Sequence, residues 1–168
     1  KYDCSYEELQ QSVTEIVKAV QNMSKRNVGA LIVIATDDLP MHIIESGTRL
    51  DAYVSCQLLE SIFNTKAPLH DGAVYIRGDK IIAAGCFLPL TQKIDVDKDI
   101  GTRHRAAIGV TEEYDHLAII VSEETGIISV ARGGEIERYY DSEMLTDVLE
   151  QNCGLRATLS TSGKRRKK

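Results

Sequence analysis

With 168 residues, 43% of them hydrophobic and 27% charged, the chain has the composition of one soluble globular domain and little room for a second. The net charge of the whole chain is −5, and it includes five positive charges of a basic tail at residues 164–168. The body without this tail has 15 positive and 25 negative residues, and its net charge of −10 disfavours DNA or RNA as a partner. Four widely spaced cysteines without a Cys-x-x-Cys pair argue against a zinc site and predict reduced thiols in the cytosol. No apolar run reaches the roughly 18 residues of a membrane helix.

The predicted elements alternate irregularly between helices and strands. In chain order they are a helix at 5–26, a strand at 28–35, a helix at 54–63, strands at 73–76 and 80–88, a helix at 102–110, strands at 117–121 and 127–131, and a final helix at 141–151. Apolar spacings of three and four indicate the helices, and short apolar runs bounded by turn residues indicate the strands. Ser5 and Glu8 match a capping box, Thr102 and Asp141 stand in capping positions, and Asp51 is also expected to start a helix.

The order of these elements predicts the fold class. The run at 28–35 is almost continuously apolar, which is typical of a strand covered on both faces. Hairpin turns at 77–79 and 132–135 argue against a Rossmann domain or a TIM barrel. The pattern therefore predicts an α/β fold, a single-domain mixed β-sheet sandwiched by helices. We expect residues 1–26 to be an amphipathic helix packed on the domain, 27–154 to form the domain, and 155–168 to be a disordered basic tail.

The most unusual stretch is Gly101-Thr102-Arg103-His104-Arg105, at a predicted helix start. A helix start offers unpaired N–H groups and a positive dipole end, so cations are disfavoured there unless an anion is bound. Arg103 adds a planar fork of donors that suits a phosphate. The alternative is a basic helix start that faces solvent or pairs with Asp97 and Asp99. The two common nucleotide fingerprints, Gly-x-Gly-x-x-Gly and Gly-x-x-x-x-Gly-Lys-Ser/Thr, are absent, so a nucleotide site must be built differently.

Two further segments carry polar residues next to predicted strands. Leu69-His70-Asp71-Gly72-Ala73 enters a strand, where small residues let a ligand approach the backbone and Asp71 can accept from a hydroxyl or bind a metal. Ser122-Glu123-Glu124 ends a strand, where a hydroxyl can bind phosphate and a carboxylate can bind Mg²⁺ or Mn²⁺. Taken alone, each segment favours an ordinary turn.

Six segments in the same order resemble the diadenylate cyclase domain, and the resemblance spans roughly Gly29 to Arg138. The segments are residues 29–34, 69–73, 88–90, 101–107, 121–126 and 129–132. Each segment alone is weak, but six in order form a specific signal. The resemblance implies that the protein joins two ATP molecules into cyclic di-AMP and releases two pyrophosphates. It also implies a divalent metal, either Mg²⁺ or Mn²⁺, with Co²⁺ as a further candidate.

The resemblance also assigns roles to residues of this chain. It implies that ATP is bound by Asp71, Gly72, Ala73, Leu88, Gly101, Thr102, Arg103, Ser122 and Glu124. It implies that the catalytic residues are Asp71, Thr102, Arg103, His104 and Arg105. It implies that the metal is held by His70 and Glu124.

Within this family the chain is most similar to the membrane-anchored class, in which the cyclase domain follows N-terminal membrane helices. The helix at 5–26 fits the connecting helix of that class. The resemblance thus implies a cytoplasmic domain tethered to the inner face of the membrane. It also implies a membrane-bound regulator and phosphoglucosamine mutase as partners. Because cyclic di-AMP is two-fold symmetric, we expect a homodimer in which two protomers face each other with one ATP each.

Three alternatives remain beside the cyclase. The first is a nucleotide-binding sensor that has lost catalysis, although Asp71, Thr102, Arg103 and Glu124 are all present. The second is a metal phosphohydrolase centred on His70-Asp71, which would need further His and Asp ligands that the sequence pattern lacks. The third is a nucleic-acid module that uses the basic tail, and the acidic body disfavours it.

Overall fold

The computed structural model describes residues 2–93 and 101–155, and a mixed β-sheet runs through its centre. Its helices are α1 (Tyr6–Lys25), α2 (Met41–Ser46), α3 (Cys56–Ile62), α4 (Thr102–Glu113) and α5 (Ser142–Asn152). Its strands are β1 (Ala30–Ala35), β2 (Thr48–Tyr53), β3 (Ala73–Arg77), β4 (Lys80–Cys86), β5 (His116–Val121), β6 (Ile128–Arg132) and β7 (Glu135–Glu137). The predicted fold class, an α/β mixed sheet sandwiched by helices, is confirmed.

β1 lies in the middle of the sheet, whose strand order is β2-β4-β3-β1-β5-β6-β7. It pairs in parallel with β3 and antiparallel with β5, so that Ala30 lies opposite Val121. β4 pairs antiparallel with β3, and Cys86 lies opposite Ala73. This pairing brings four strand ends together at one edge of the sheet: the starts of β1 and β3 and the ends of β4 and β5. All six residues of β1 are buried, as predicted for a strand covered on both faces.

Alternate residues of β1 face two different hydrophobic layers. Ile32 and Ile34 pack into the cluster that contains the apolar faces of α1, α3 and α5. Leu31 and Val33 face the cluster that contains residues of α2 and α4. Each buried aliphatic side chain contributes roughly 1.5–3 kcal/mol relative to exposure. Packing on both faces therefore holds β1 and the strand ends beside it in a fixed position.

The predicted starts of two helices are confirmed in atomic detail. Glu8 N–H donates to Ser5 Oγ over 3.1 Å, and Ser5 N–H donates to Glu8 Oε2 over 3.1 Å, which completes the capping box of α1. Asp141 caps α5 by accepting from Met144 N–H over 2.8 Å. These interactions satisfy backbone N–H groups that the first turn of a helix leaves unpaired.

Two predicted capping residues are wrong. Asp51 lies in β2 rather than at a helix start, with φ at 49°, where the pairing of β2 with β4 shifts register. Aspartate tolerates this left-handed conformation better than most residues, and its carboxylate accepts from Arg49 Nε over 3.0 Å. Thr102 is the first helical residue of α4, and Gly101 takes the capping position. Glycine provides no side chain to occupy the first amides of that helix.

The sequence did not indicate α2 and β2. α2 has only six residues, too few for a helical periodicity, and β2 is an edge strand without a buried residue, so it carries no apolar run. The predicted basic tail beyond Leu155 lies outside the described residues, and so do Asp97 and Asp99, the partners in the alternative interpretation of the basic helix start. Across residues 2–93 and 101–155, no helix combines the length and the apolar character that spanning a membrane requires.

Candidate active site

A pocket of about 700 Å³ opens at the sheet edge where the four strand ends meet. The start of α4 and the turn after β5 complete its walls. Its lining consists of Leu31, His70, Asp71, Gly72, Cys86, Phe87, Leu88, Leu90, Gly101, Thr102, Arg103, His104, Ala106, Val121, Ser122, Glu123 and Glu124. The three polar segments noted in the sequence therefore meet in one cavity. This volume falls within the range of sites for nucleotide-sized ligands.

Arg103 is the central cation of this pocket. Its guanidinium lies against the backbone of Gly29, and Nη1 is 3.6 Å from Glu123 Oε2. Its Nε is buried and has no hydrogen-bond partner among the described residues. A buried donor without an acceptor costs free energy, so this atom is suited to an acceptor that a ligand brings. The arginine fork, paired on one side with Glu123, is arranged to bind an anion.

The first turn of α4 strengthens this preference for an anion. It contains no acidic residue, and Gly101 at the cap provides no side-chain acceptor. Burial lowers the pKa of His104, and the charges of Arg138 and Arg103 lower it further. Because Thr102 does not cap the helix, its hydroxyl is available to the pocket that it lines. The unpaired N–H groups and the dipole of the helix start favour a bound phosphate, and so do the charges of Arg103 and Arg138.

The opposite wall is formed by the segment that enters β3. Gly72 has φ at 119°, and a Cβ there would lie 2.8 Å from the carbonyl carbon of Gly85. Only glycine permits the backbone before β3 to approach β4 this closely. The preceding residue, Asp71, is exposed and lines the pocket wall. His70 Nδ1 is 2.7 Å from Ala67 O, so Nδ1 carries the proton that is donated to this carbonyl. This tautomer leaves Nε2 as a lone-pair donor, the state that a metal ligand requires.

The turn after β5 brings a hydroxyl and two carboxylates. Ser122 Oγ accepts from the N–H groups of Glu124 and Thr125, both over 3.3 Å. Both glutamates are exposed, and the carboxylate of Glu123 reaches Arg103. The turn thus places a second carboxylate, that of Glu124, at the pocket wall. Oxygen ligands of this kind suit Mg²⁺ or Mn²⁺.

The remaining wall is apolar. Leu31 and Leu88 line the inside, and Phe87 and Leu90 stand at the rim with exposed fractions of 73% and 47%. Phe87 N–H donates to Ser46 Oγ over 2.9 Å, which anchors its backbone while its ring stays in solvent. An exposed aromatic ring next to a cationic helix start offers a surface for a flat heterocycle. The pocket therefore has a polar half for an anion and an apolar half for a ring system.

Most of the residues predicted from the sequence line this pocket, and two do not. Ala73 is fully buried in β3, where it packs in the core behind Gly72. Arg105 is absent from the lining; its carbonyl accepts from Thr91 N–H over 3.1 Å. The sequence does not reveal Glu123 as the ion-pair partner of Arg103, because adjacent glutamates in a turn carry no signal about which one faces an arginine. Nor does it reveal Leu31, which only the burial of β1 on both faces assigns to the pocket side.

Comparisons with known proteins agree with this geometry. The model of the DAC family, "DisA bacterial checkpoint controller nucleotide-binding", matches residues 17–136. The cyclic di-AMP synthase CdaA of Bacillus subtilis is 48% identical over 86% of this chain and 53% of its own length. The diadenylate cyclase of Listeria monocytogenes is 47% identical over 82% of this chain and 50% of its own length. The chain therefore spans about half the length of these two relatives.

Solved structures agree as well. The crystal structure of a double mutant of DacA from Staphylococcus aureus superimposes with a TM-score of 0.82 at 44% identity. The match covers 88% of this chain and 96% of that one. A hypothetical membrane spanning protein from Bacillus cereus superimposes with a TM-score of 0.74 at 45% identity, covering 77% of this chain and 63% of that one.

Proposed function

Because the chain belongs to the diadenylate cyclase (DAC) family, we propose that it condenses two ATP molecules into cyclic di-AMP with release of two pyrophosphates. The observation that supports this most directly is the buried Nε of Arg103, which lacks an acceptor among the described residues at a helix start that faces a nucleotide-sized pocket. A triphosphate provides the acceptor and the charge that this site lacks. The apolar half of the pocket accommodates an adenine.

Different residues of the pocket bind the phosphates, the ribose and the adenine of ATP. Thr102, Arg103 and Ser122 hold the phosphates, with Gly101 at the helix start. Asp71 accepts from a ribose hydroxyl, and Gly72 lets the sugar approach the backbone. The backbone of Leu88 contacts the adenine edge, and the exposed ring of Phe87 stacks on the base. His104 and Arg105 have supporting roles at the start of α4. His104 lines the pocket, and Arg105 lies outside its lining.

These residues also explain how the reaction is accelerated. Each ribose 3′-hydroxyl must attack the α-phosphate of the other ATP in line with the leaving pyrophosphate. Transfer of this kind depends mainly on positioning and on stabilising charge. Arg103 and the α4 start stabilise the charge that develops on the phosphate, because they are fixed before the substrate arrives.

His70 and Glu124 are the residues that we propose hold a divalent metal. The fit rests on the donor set: the Nδ1–H of His70 is committed to Ala67, which leaves Nε2 for coordination, and Glu124 contributes a carboxylate oxygen. When bound, Mg²⁺ or Mn²⁺ would lower the pKa of the attacking hydroxyl. Imidazole with carboxylate also suits Co²⁺.

We propose that the active unit is a homodimer with two-fold symmetry. One pocket holds one ATP, whereas the product joins two nucleotides head to tail, so two pockets must face each other. The exposed Phe87 and Leu90 lie at the rim of the pocket, on the side that a facing protomer would approach. A monomer should therefore bind ATP without turning it over. A variant that is strictly monomeric and fully active would contradict this arrangement.

The domain division and the cellular setting also remain proposals. Residues 1–26 act as a connecting helix, 27–154 as the catalytic domain and 155–168 as a basic tail. The resemblance to the membrane-anchored class supports a cytoplasmic domain tethered to the inner face of the membrane. It also supports a membrane-bound regulator and phosphoglucosamine mutase as partners, and we expect no nucleic-acid ligand.

The proposed activity is tested by incubating the protein with ATP and either Mn²⁺ or Mg²⁺ and separating the products by chromatography. Cyclic di-AMP together with pyrophosphate supports the cyclase. ATP that binds but stays unchanged would instead indicate a catalytically silent nucleotide-binding sensor. AMP or ADP as the main product would indicate a hydrolase.

A further inference from the structure

The turn that carries Ser122, Glu123 and Glu124 is bound from outside the pocket by residues 24–27, which we call the α1 end. We call residues 122–126, which connect β5 to β6, the β5–β6 turn. Ser24 Oγ donates to Gly126 O over 2.6 Å, and Asn27 Nδ2 donates to Glu124 O over 3.3 Å. These two side chains are about a hundred residues away from the turn in sequence. Both bonds are made to backbone carbonyls, so they restrain the path of the turn.

Gly126 allows the β5–β6 turn to lie very close to Ser24 and Asn27. It is buried, with φ at 73°, and a Cβ there would lie 2.6 Å from Asn27 Oδ1 and overlap with the carbonyl oxygen of Ser24. The backbone of the turn is therefore pressed directly against the end of α1. Gly126 N–H donates to Ser122 O over 2.9 Å, which closes the turn on itself. A displacement of the α1 end would therefore displace the backbone that bears the site residues.

The geometry of the α1 end explains why Asn27 points at the turn. Asn27 has φ at 51°, a left-handed conformation that asparagine tolerates. Its N–H donates to Ser24 O, and the next residue donates to Met23 O over 2.9 Å. These backbone bonds end the helix and place the Asn27 backbone where its side chain can reach the turn.

The same segment also supports the other side of the pocket. Gly29, two residues beyond Asn27, provides the bare backbone against which Arg103 lies. Arg103 in turn pairs with Glu123 on the β5–β6 turn. The α1 end and the residues after it thus contact both Arg103 and the β5–β6 turn, and Arg103 also contacts the turn. These contacts surround the polar half of the pocket.

We propose that Ser24 and Asn27 are positioning residues, which hold the β5–β6 turn so that Ser122 and Glu124 face the nucleotide and its metal. The proposal rests on the proposed function, since it assigns Ser24 and Asn27 to the phosphate and metal side of that site. It gives α1 a role beyond packing on the domain. Displacing the α1 end would misalign Ser122 and Glu124 together without touching the substrate.

The first test measures the turn without any ligand. Amide hydrogen exchange at Gly126 should be at least several-fold faster in Ser24→Ala than in the wild type, because the bond that fixes its carbonyl is lost. Thr14→Ala is the matched control, since the Thr14 hydroxyl also donates to a backbone carbonyl on α1 but lies far along the helix from the turn. An unchanged exchange rate at Gly126 in Ser24→Ala would overturn the proposal.

The second test measures the metal requirement of cyclic di-AMP synthesis. In Ser24→Ala, the Mn²⁺ concentration for half-maximal rate should rise about 10-fold, as is typical when a ligand loses its outer support. Ser24→Thr keeps the hydroxyl and should restore the wild-type value. A purely structural role would lower the melting temperature and leave the Mn²⁺ requirement unchanged, and that result would also overturn the proposal.

Asn27 needs a substitution that respects its left-handed backbone. Asn27→Gly keeps that conformation accessible and removes the amide, whereas Asn27→Asp keeps the shape and replaces the N–H donor with an acceptor facing Glu124 O. Both variants should raise the Mn²⁺ requirement, and the aspartate variant should raise it more. If both behave as the wild type, Asn27 has no positioning role.

These outcomes are distinguishable from failure of the proposed function itself. If the wild type binds ATP but makes no cyclic di-AMP, the cyclase proposal fails. The exchange experiment and Mn²⁺-dependent ATP binding by the variants then still decide whether Ser24 and Asn27 position the turn. If the wild type is active and the variants match it in exchange and metal requirement, only the positioning proposal fails.

Discussion

The guanidinium of Arg103 lies on the bare backbone of Gly29, where a Cβ would stand 2.5 Å from Nη1 and 2.7 Å from Cζ. These two residues are far apart in sequence, on the approach to β1 and in the first turn of α4. The absence of a side chain at residue 29 thus determines where the central cation of the pocket rests. This relationship makes the position of Arg103 testable apart from its charge.

Gly29→Ala should reduce activity with little effect on stability. The added methyl group displaces the guanidinium, which is the end of a flexible side chain, so the fold can adapt at small cost. The phosphate-binding fork would then be misplaced, and kcat/KM for ATP should fall about 10-fold or more. Steady-state kinetics together with thermal unfolding test this. A large drop in melting temperature, or unchanged kinetics, would contradict the explanation.

Arg103→Ala should reduce turnover by about 10²-fold or more, because it removes a preorganised charge from the transition state. Arg103→Lys keeps the charge without the planar fork and should recover only part of the rate. Arg49→Ala is the control, since Arg49 forms an exposed ion pair with Asp51 on the edge strand, and such pairs contribute little. An unchanged turnover rate in folded Arg103→Ala protein would refute the role of this arginine.

Asp71→Asn should damage activity without unfolding the protein. Asp71 is exposed at the pocket wall, so its replacement by an isosteric amide leaves the core untouched. An amide nitrogen in place of a carboxylate oxygen weakens acceptance from a ribose hydroxyl. We expect kcat/KM for ATP to fall by roughly 10-fold or more while the circular dichroism spectrum stays the same. Wild-type kinetics in this variant would remove Asp71 from the site.

Gly72→Ala should destabilise the fold by more than Gly133→Ala. Both glycines have positive φ, but a Cβ at Gly72 would lie within 3.0 Å of the β4 backbone, whereas nothing lies within 4 Å of one at Gly133. The control thus carries backbone strain, worth about 1–3 kcal/mol, without the collision. Denaturant unfolding of the two variants measures the difference. Equal free energies of unfolding would show that the close approach of β3 and β4 adds nothing.

His116→Phe should make the protein less sensitive to acid. Burial lowers the pKa of His116 despite the neighbouring Asp115, and its ring packs against Tyr75 and Tyr114. Below pH about 6.5 the unfolded chain takes up a proton that the folded chain resists, so wild-type stability falls as the pH drops through this range. Phenylalanine removes that proton uptake.

The measurement for His116 is the free energy of unfolding between pH about 7.5 and about 5. The wild type should lose more stability than His116→Phe across this interval. The variant should still lose some, because His104 also has a lowered pKa and remains in place. Parallel curves for the two proteins would show that His116 does not contribute to the acid sensitivity.

Much of the architecture could be predicted because its signals are local. The capping box at Ser5 and Glu8 and the continuously apolar β1 depend only on neighbouring residues, and both are present as predicted. Asp51 shows the limit of such signals, because an aspartate suits a helix cap and a left-handed bulge equally well. Only the pairing of β2 with β4 selects between the two.

The amino-acid order alone identifies the start of α4 as a site for an anion, since cations at a helix start are unusual wherever the chain folds. The pair Asp71-Gly72 is an ordinary turn signal by itself, and it points to the site only through its place among the six segments of the family resemblance. Which side chains act on each other depends instead on three-dimensional packing. The pairing of β1 with β5 brings Gly29 close to Glu123, and the packing of α4 on these strands adds Arg103. The end of α1 meets the β5–β6 turn at the same edge. Such contacts join segments that are distant in sequence, and no local periodicity or turn propensity specifies them.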